Sequence, residues 1–191
     1  MKTLTHNEPV RRTNPQKFLL WIGIASLVMA FAGLTSAYLV KRAHTNWLEF
    51  SLPKVFWVST LVILLSSFTM HLAVKAFKNK ERGRYRMLIS ATALLGLLFC
   101  ALQIAGFHDI TTRGISILGN GSNPAASFLG VICGFHILHV LGGVVALAGF
   151  AIRSYNAKVK DYNPVPVEIM GTYWHFVDVL WIYLLIFFNI V

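Results

Sequence analysis

The chain has 191 residues, 56% of them hydrophobic and 13% charged, with a mean hydropathy of +0.64. Water-soluble domains carry about a quarter charged residues, so a soluble globule is excluded, and the long apolar blocks indicate a membrane class. The formal net charge of +10 does not indicate nucleic acid, because the cations sit between apolar blocks and leave no folded surface for a duplex or a strand. They fit an anionic leaflet instead, where each Lys or Arg contributes about 1 kcal/mol.

Five runs are long enough to cross a bilayer, which takes about 20 apolar residues. They predict an all-α integral membrane bundle forming a single domain over residues 1–191. The first run is Phe18 to Val40, led by Lys2, Arg11, Arg12 and Lys17. Thr35-Ser36-Ala37 is weakly like a cleavage site, but the run exceeds the h-region of a signal peptide, so a retained helix is expected. The second run covers about Lys54 to Phe77, the third Met87 to Phe107, the fourth Ala126 to Ile152 and the fifth Glu168 to Val191. Between the third and fourth, the segment from His108 to Ala125 is rich in Gly, Asn and Pro and reads as turns.

Lys and Arg counts orient the bundle. With a cytoplasmic N-terminus, residues 1–17, 75–86 and 153–167 place thirteen cations inside, against four (Lys41, Arg42, Lys54, Arg113) outside. The expectation is therefore a cytoplasmic N-terminus and a periplasmic C-terminus. The basic hairpin residues Lys75, Lys78, Lys80, Arg82, Arg84 and Arg86 are candidate lipid-headgroup contacts or ordinary inside anchors. Cys100 and Cys133 lie within apolar runs without metal or redox spacing and read as small packing residues. His71 is placed near the cytoplasmic end of its helix, His6, His44 and His108 in the tail or loops, and Trp21, Trp47 and Trp57 in an interfacial belt.

Ionisable groups at membrane depth are costly, which makes their partners the place to look for function. In the fourth run His136 and His139 are three apart and share a face. Gly130 and Gly134, and Gly142 and Ala146, have the small-residue spacing that permits close helix approach. In the fifth run Glu168, Gly171, His175 and Asp178 form one polar stripe, and Trp174 and Trp181, seven apart, share a face. At about 1.5 Å per residue, His139 and Asp178 fall near the midpoints of their runs with His136 and His175 about one turn away, so a buried His–Asp contact between the two helices or within the fifth is geometrically open. Three readings fit these residues: haem ligation from two helices, a proton or ion path, and a polar cluster that locks packing.

The segments Gly134-Phe135-His136-Ile137-Leu138-His139-Val140 and Tyr173-Trp174-His175-Phe176-Val177-Asp178-Val179-Leu180-Trp181 resemble the two signatures of cytochrome c oxidase subunit III, in order and at a suitable separation. The stretch from Ser122 to Phe128 is similar to short bacterial members. The resemblance is strong over about Gly114 to Val191 and implies the five-helix form, which lacks the first two helices of the seven-helix form. It implies a non-catalytic core subunit of a proton-pumping terminal oxidase in a bacterial cytoplasmic membrane, serving aerobic respiration. Haem and copper would belong to partner subunits I and II, with no cofactor in this chain other than bound phospholipid, and electrons would come from cytochrome c or another donor.

Under that resemblance His136, His139, His175, Asp178, Glu168, Trp174 and Trp181 become a packing and subunit-contact cluster. The family supports proton delivery to subunit I, protects the active site during turnover and holds phospholipid. Two departures stand out: Leu27 and Gly106 occupy positions where the family carries glutamate. A quinol oxidase and a nitric-oxide-reductase-associated homologue remain open within the family, and a membrane haem-b cytochrome outside it.

Overall fold

The computed structural model describes residues 14–43, 52–114, 117, 123–156 and 163–190. Five helices occupy them: α1 (Pro15–Arg42), α2 (Val55–Lys78), α3 (Arg82–Thr112), α4 (Pro124–Asn156) and α5 (Val165–Ile190). All five are long and apolar enough to span a membrane, and no strand occurs among the described residues. The expected His6, His44 and Trp47 positions, and most of the loop between α3 and α4, lie outside the described residues.

Helix starts repeat one device. Asn14-Pro15, Asn123-Pro124 and Asn163-Pro164 precede α1, α4 and α5. Proline at a helix start spends no needed N–H, and the Asn123 and Asn163 Oδ1 atoms accept from the amides of Ala125 (2.9 Å) and Val165 (3.0 Å). The α2–α3 hairpin turns at Lys80, with φ of 63°. There the Glu81 amide donates to the Ala76 carbonyl and the Lys80 amide to that of Phe77, each at 3.0 Å. This pair is the Schellman closure usually made by glycine.

One expectation is corrected at the other end of α3. His108 was placed in a loop, but the helix continues through Thr112. The Thr111 and Thr112 hydroxyls fold back onto the carbonyls of His108 and Asp109, and Arg113 bridges to Asp109 at 2.6 Å. The helix stops at Gly114, whose φ of +82° suits glycine.

Helices α2, α3, α4 and α5 form a ring of neighbours, with α3 between α2 and α4, and α5 touching both α2 and α4. Helix α1 lies outside the ring and, among the described residues, packs only on α4 and α5. The largest buried side chains are Trp174 and Trp181, and Trp174 explains how closely the ring closes. A Cβ on Gly96 of α3 would fall 2.8 Å from its indole, and one on Gly143 of α4 would also fall 2.8 Å from it. The indole is slotted between two bare backbones, which is the use of small residues in membrane bundles.

The close approaches are therefore not where the paired small residues predicted them. Gly134 and Gly142 have open space around them, Ala146 is exposed, and Gly130 faces only the Ile117 side chain. Glycine pairs on one helix recognise another helix backbone, whereas here single glycines on two helices receive one aromatic ring.

Gly143→Val puts a branched side chain where the Trp174 ring lies, and overpacking of this kind costs about 1–3 kcal/mol. Gly149→Val, on the same helix with no neighbour within 4 Å, is expected to leave the melting temperature of the detergent-solubilised chain unchanged. Equal destabilisation by the two substitutions would sink the slot.

Candidate functional site

Helix α5 carries its polar residues on two adjoining stripes. Trp174, Asp178 and Trp181 recur at four and three residues and are buried, while Glu168 and His175 sit at the margin and are partly buried. The partners of these stripes come largely from α2, an apolar span whose hydroxyls are turned toward α5.

Helix α2 offers hydroxyls in two groups seven residues apart, at Ser59-Thr60 and Ser66-Ser67. The spacing matches that of the tryptophans, so antiparallel packing brings both groups into register. The Trp174 Nε1–H donates to Ser66 Oγ (3.1 Å), and the Trp181 Nε1–H donates to Thr60 Oγ1 (3.0 Å). Indole N–H groups in lipid need acceptors from inside the protein, and hydroxyls of α2 supply them. Thr60 donates to the Phe56 carbonyl at 2.7 Å. The same hydroxyls reach α3, where Ser66 donates to the Thr92 carbonyl (3.3 Å) and Gln103 donates to Ser59 (2.8 Å).

His136 is fully buried in aromatic rings. It stacks on Trp181, with centroids 5.3 Å apart and planes 29° apart, and meets Phe99 and Phe31 edge-on at 5.9 and 6.4 Å. Neither of its ring nitrogens has a hydrogen-bond partner. His139 is partly buried, back-bonds through Nδ1 to the Phe135 carbonyl (2.6 Å), and meets the Phe31 edge at 6.1 Å. The two histidines share a helix face, as their spacing predicted, but that face is sheathed in rings. This leaves no room for a haem plane against His136. Among the described residues no group of three or more His, Cys, Asp or Glu is placed to hold a metal ion.

The His–Asp contact left open by the depth estimate is not made. His136 faces Trp181, whereas Asp178, only 2% exposed, has two carboxyl oxygens without a hydrogen bond and lies beside Ser67 of α2. Rise per residue predicts height along a helix and not the direction in which a side chain points. Ser67 is instead bonded to His175, with Oγ and Nδ1 2.6 Å apart.

At the end of the bundle where α1 and α5 begin, a cleft of about 440 Å³ opens between α1, α2 and α5. Glu168 sits in its wall and pairs with Lys17 of α1 (2.8 Å) and Lys78 of α2 (2.7 Å). His71 and His175 line it, their ring centroids 6.3 Å apart. His71 is thus a cleft residue, and Lys17 joins the site without having been singled out. Of the other headgroup candidates, Lys75 is exposed, Arg84 pairs with Glu81 at 3.4 Å, and Arg86 lies 5.3 Å over the Tyr155 ring. Lys80 and Arg82 are exposed in and just after the hairpin turn.

Gly106, one of the two departures from the glutamate pattern, is filled from across the bundle. A Cβ there would fall 2.6 Å from the Phe56 ring, so the space of a carboxylate is taken by an aromatic edge. Leu27 is partly buried on α1. Cys100 and Cys133 are buried and unbridged.

Two kinds of similarity bear on this geometry. A family model described as cytochrome c oxidase subunit III matches residues 6–190. A probable cytochrome c oxidase subunit 3 of Nocardia farcinica is 33% identical over 170 residues, covering 86% of this chain and 81% of that protein. The cytochrome c oxidase subunit 3 of Bacillus sp. PS3 is 29% identical over 174 residues, covering 88% and 82%. That of Synechocystis is 32% identical over 168 residues, covering 82% and 67%.

Glu168→Gln removes the charge that both lysines share. Partly exposed ion pairs contribute at most about 1 kcal/mol and are screened by salt. The expected outcome is a small loss of thermal stability at low ionic strength that disappears at high ionic strength. A loss that persists in salt would mean that the carboxylate acts through something other than these pairs.

Proposed function

The chain belongs to the cytochrome c oxidase subunit III family, and from that premise we propose that it is a non-catalytic core subunit that braces subunit I of a bacterial terminal oxidase. It is a multi-pass membrane protein, and its family makes it a subunit of a haem–copper oxidase. The observation that carries the bracing role is the use made of the signature residues. Trp174, Trp181 and His136, the last of which spacing alone left as a candidate haem ligand, are all spent on joining α5 to α2, α3 and α4. A chain so used is a rigid support, and the oxygen chemistry falls to haem and copper in subunits I and II. Cytochrome c is the electron donor, in keeping with the names of the relatives.

The N-terminus lies in the cytoplasm and the C-terminus in the periplasm. The described cations support this: Lys17, Lys75, Lys78, Lys80, Arg82, Arg84, Arg86 and Arg153 gather at the end where α1 begins, against Lys41, Arg42, Lys54 and Arg113 at the other. The positive-inside rule sets the first end in the cytoplasm. There the cleft between Lys17 and Lys78 suits a phospholipid phosphate, with Leu20, Val74 and Ile169 beside the acyl chains. The exposed apolar side chains around the bundle, among them Phe18, Leu61, Phe68, Leu138 and Val145, meet lipid and the partner subunits.

Gentle purification of the tagged chain from its native membrane, followed by a reduced-minus-oxidised spectrum, tests the assignment. Haem and copper are expected to arrive with two larger proteins and to leave when the complex is split. Haem retained by the isolated 21.3 kDa chain would overturn it.

A further inference from the structure

Asp178, Ser67 and His175 make a short polar line whose purpose packing does not explain. Asp178 is a buried carboxyl with neither oxygen in full hydrogen-bond geometry, and the side chain that approaches it is the Ser67 hydroxyl. A packing role would have been served by an apolar residue, since an unpartnered buried polar group costs stability. Its neighbour across the α2–α5 contact is Ser67, and Ser67 is 2.6 Å from Nδ1 of His175. His175 lines the cleft, with His71, Glu168, Lys17 and Lys78 around the same opening. One end of the line is therefore open to the membrane surface and the other is buried.

Serine carries one proton and here has two neighbours able to accept it. When His175 Nδ1 is bare, Ser67 donates to it. When Nδ1 carries hydrogen, it donates to Ser67 and frees the hydroxyl to face Asp178. We propose that Asp178 is a protonation site within the bundle that exchanges its proton with the cleft through His175 and Ser67. A proton enters at the cleft side of the imidazole, the Nδ1 proton passes to Ser67 Oγ, and the Ser67 hydroxyl proton passes to the carboxylate. Ser67 ends with one proton as before, the imidazole ends as its other tautomer with Nδ1 bare and resets when its proton shifts back, and the net change is one proton gained by Asp178 and one lost from the cleft.

The titratable and charged groups around this line are few. Helix α1 brings Lys17, α2 brings His71 and Lys78, and α5 itself brings Glu168. His136 and His139 of α4 are turned into the rings of Phe31, Phe99 and Trp181. Beyond Asp178, Trp181 donates to Thr60 and packs on Phe56 and Phe99, so the line is closed at that end. It is a reservoir filled from one side and not a route across the membrane.

This inference rests on side chains of this chain alone and stands apart from which proteins accompany it. Infrared spectroscopy of the chain, in whatever complex it forms in its own membrane, gives the test. A protonated-carboxyl band is expected to be lost in Asp178→Asn and displaced in Asp178→Glu. Its hydrogen–deuterium exchange is expected to slow by about tenfold or more in Ser67→Ala, the effect of losing one weak relay contact, and to recover in Ser67→Thr. His175→Gln is expected to slow it likewise and serves if Ser67→Ala does not fold. No band altered by either Asp178 substitution, or exchange at the wild-type rate in a folded Ser67→Ala or His175→Gln protein, would overturn the proposal.

Discussion

The ring of helices closes on one side chain. Trp174 reaches from α5 and touches the other three members of the ring: its N–H is bonded to Ser66 of α2, and its ring edges lie on Gly96 of α3 and Gly143 of α4. In lipid there is little hydrophobic gain from bringing helices together, so close packing and internal hydrogen bonds must supply the association. Trp174 supplies both from one position. Its ring also fixes the rotation of α5, because turning the helix would drive the indole into a backbone that has no side chain to move aside.

Seven residues on, Trp181 repeats the arrangement with different neighbours. It bonds to Thr60, stacks on His136 and meets Phe56 and Phe99 edge-on. Two rigid contacts two turns apart define a line and so hold the axis of α5 aligned with that of α2 as well as near it. The polar groups of α2 serve this line, and the buried Gln103–Ser59 bond continues the same seam onto α3. Polar atoms at membrane depth thus occur mainly where a helix–helix seam can use them.

How far this was legible in the sequence follows from what each signal measures. Apolar length fixed the five spans, and the real helices exceed them at most ends because the extensions lie where lipid gives way to water. The spacing of Trp174 and Trp181 placed them correctly on one face. Their acceptors were missed because serine and threonine are ordinary in membrane helices, although the seven-residue repeat of Ser59-Thr60 and Ser66-Ser67 was a readable signal. Gly96 and Gly143 are single glycines on different helices, so no spacing rule could join them. The cleft was invisible for a related reason: Lys17, Lys78 and Glu168 come from three helices, and only their packing brings the charges together. The His–Asp contact that depth left open is not made, since depth carries no azimuth and the histidines of α4 and Asp178 look toward different neighbours.

The place of α1 bears on how the chain is made. Of the five helices it leaves the ribosome first, yet among the described residues its neighbours are α4 and α5. The Thr35 contact with Tyr183, 3.2 Å across 148 positions of sequence, has no counterpart until α5 has been made. The α2–α3 hairpin, closed by its own turn, can assemble as soon as it is inserted, while α1 must wait in the bilayer with its inner face bare. Completion of the bundle is therefore timed by the arrival of α5, and a chain cut short before it would leave α1 without the α5 side of its seat.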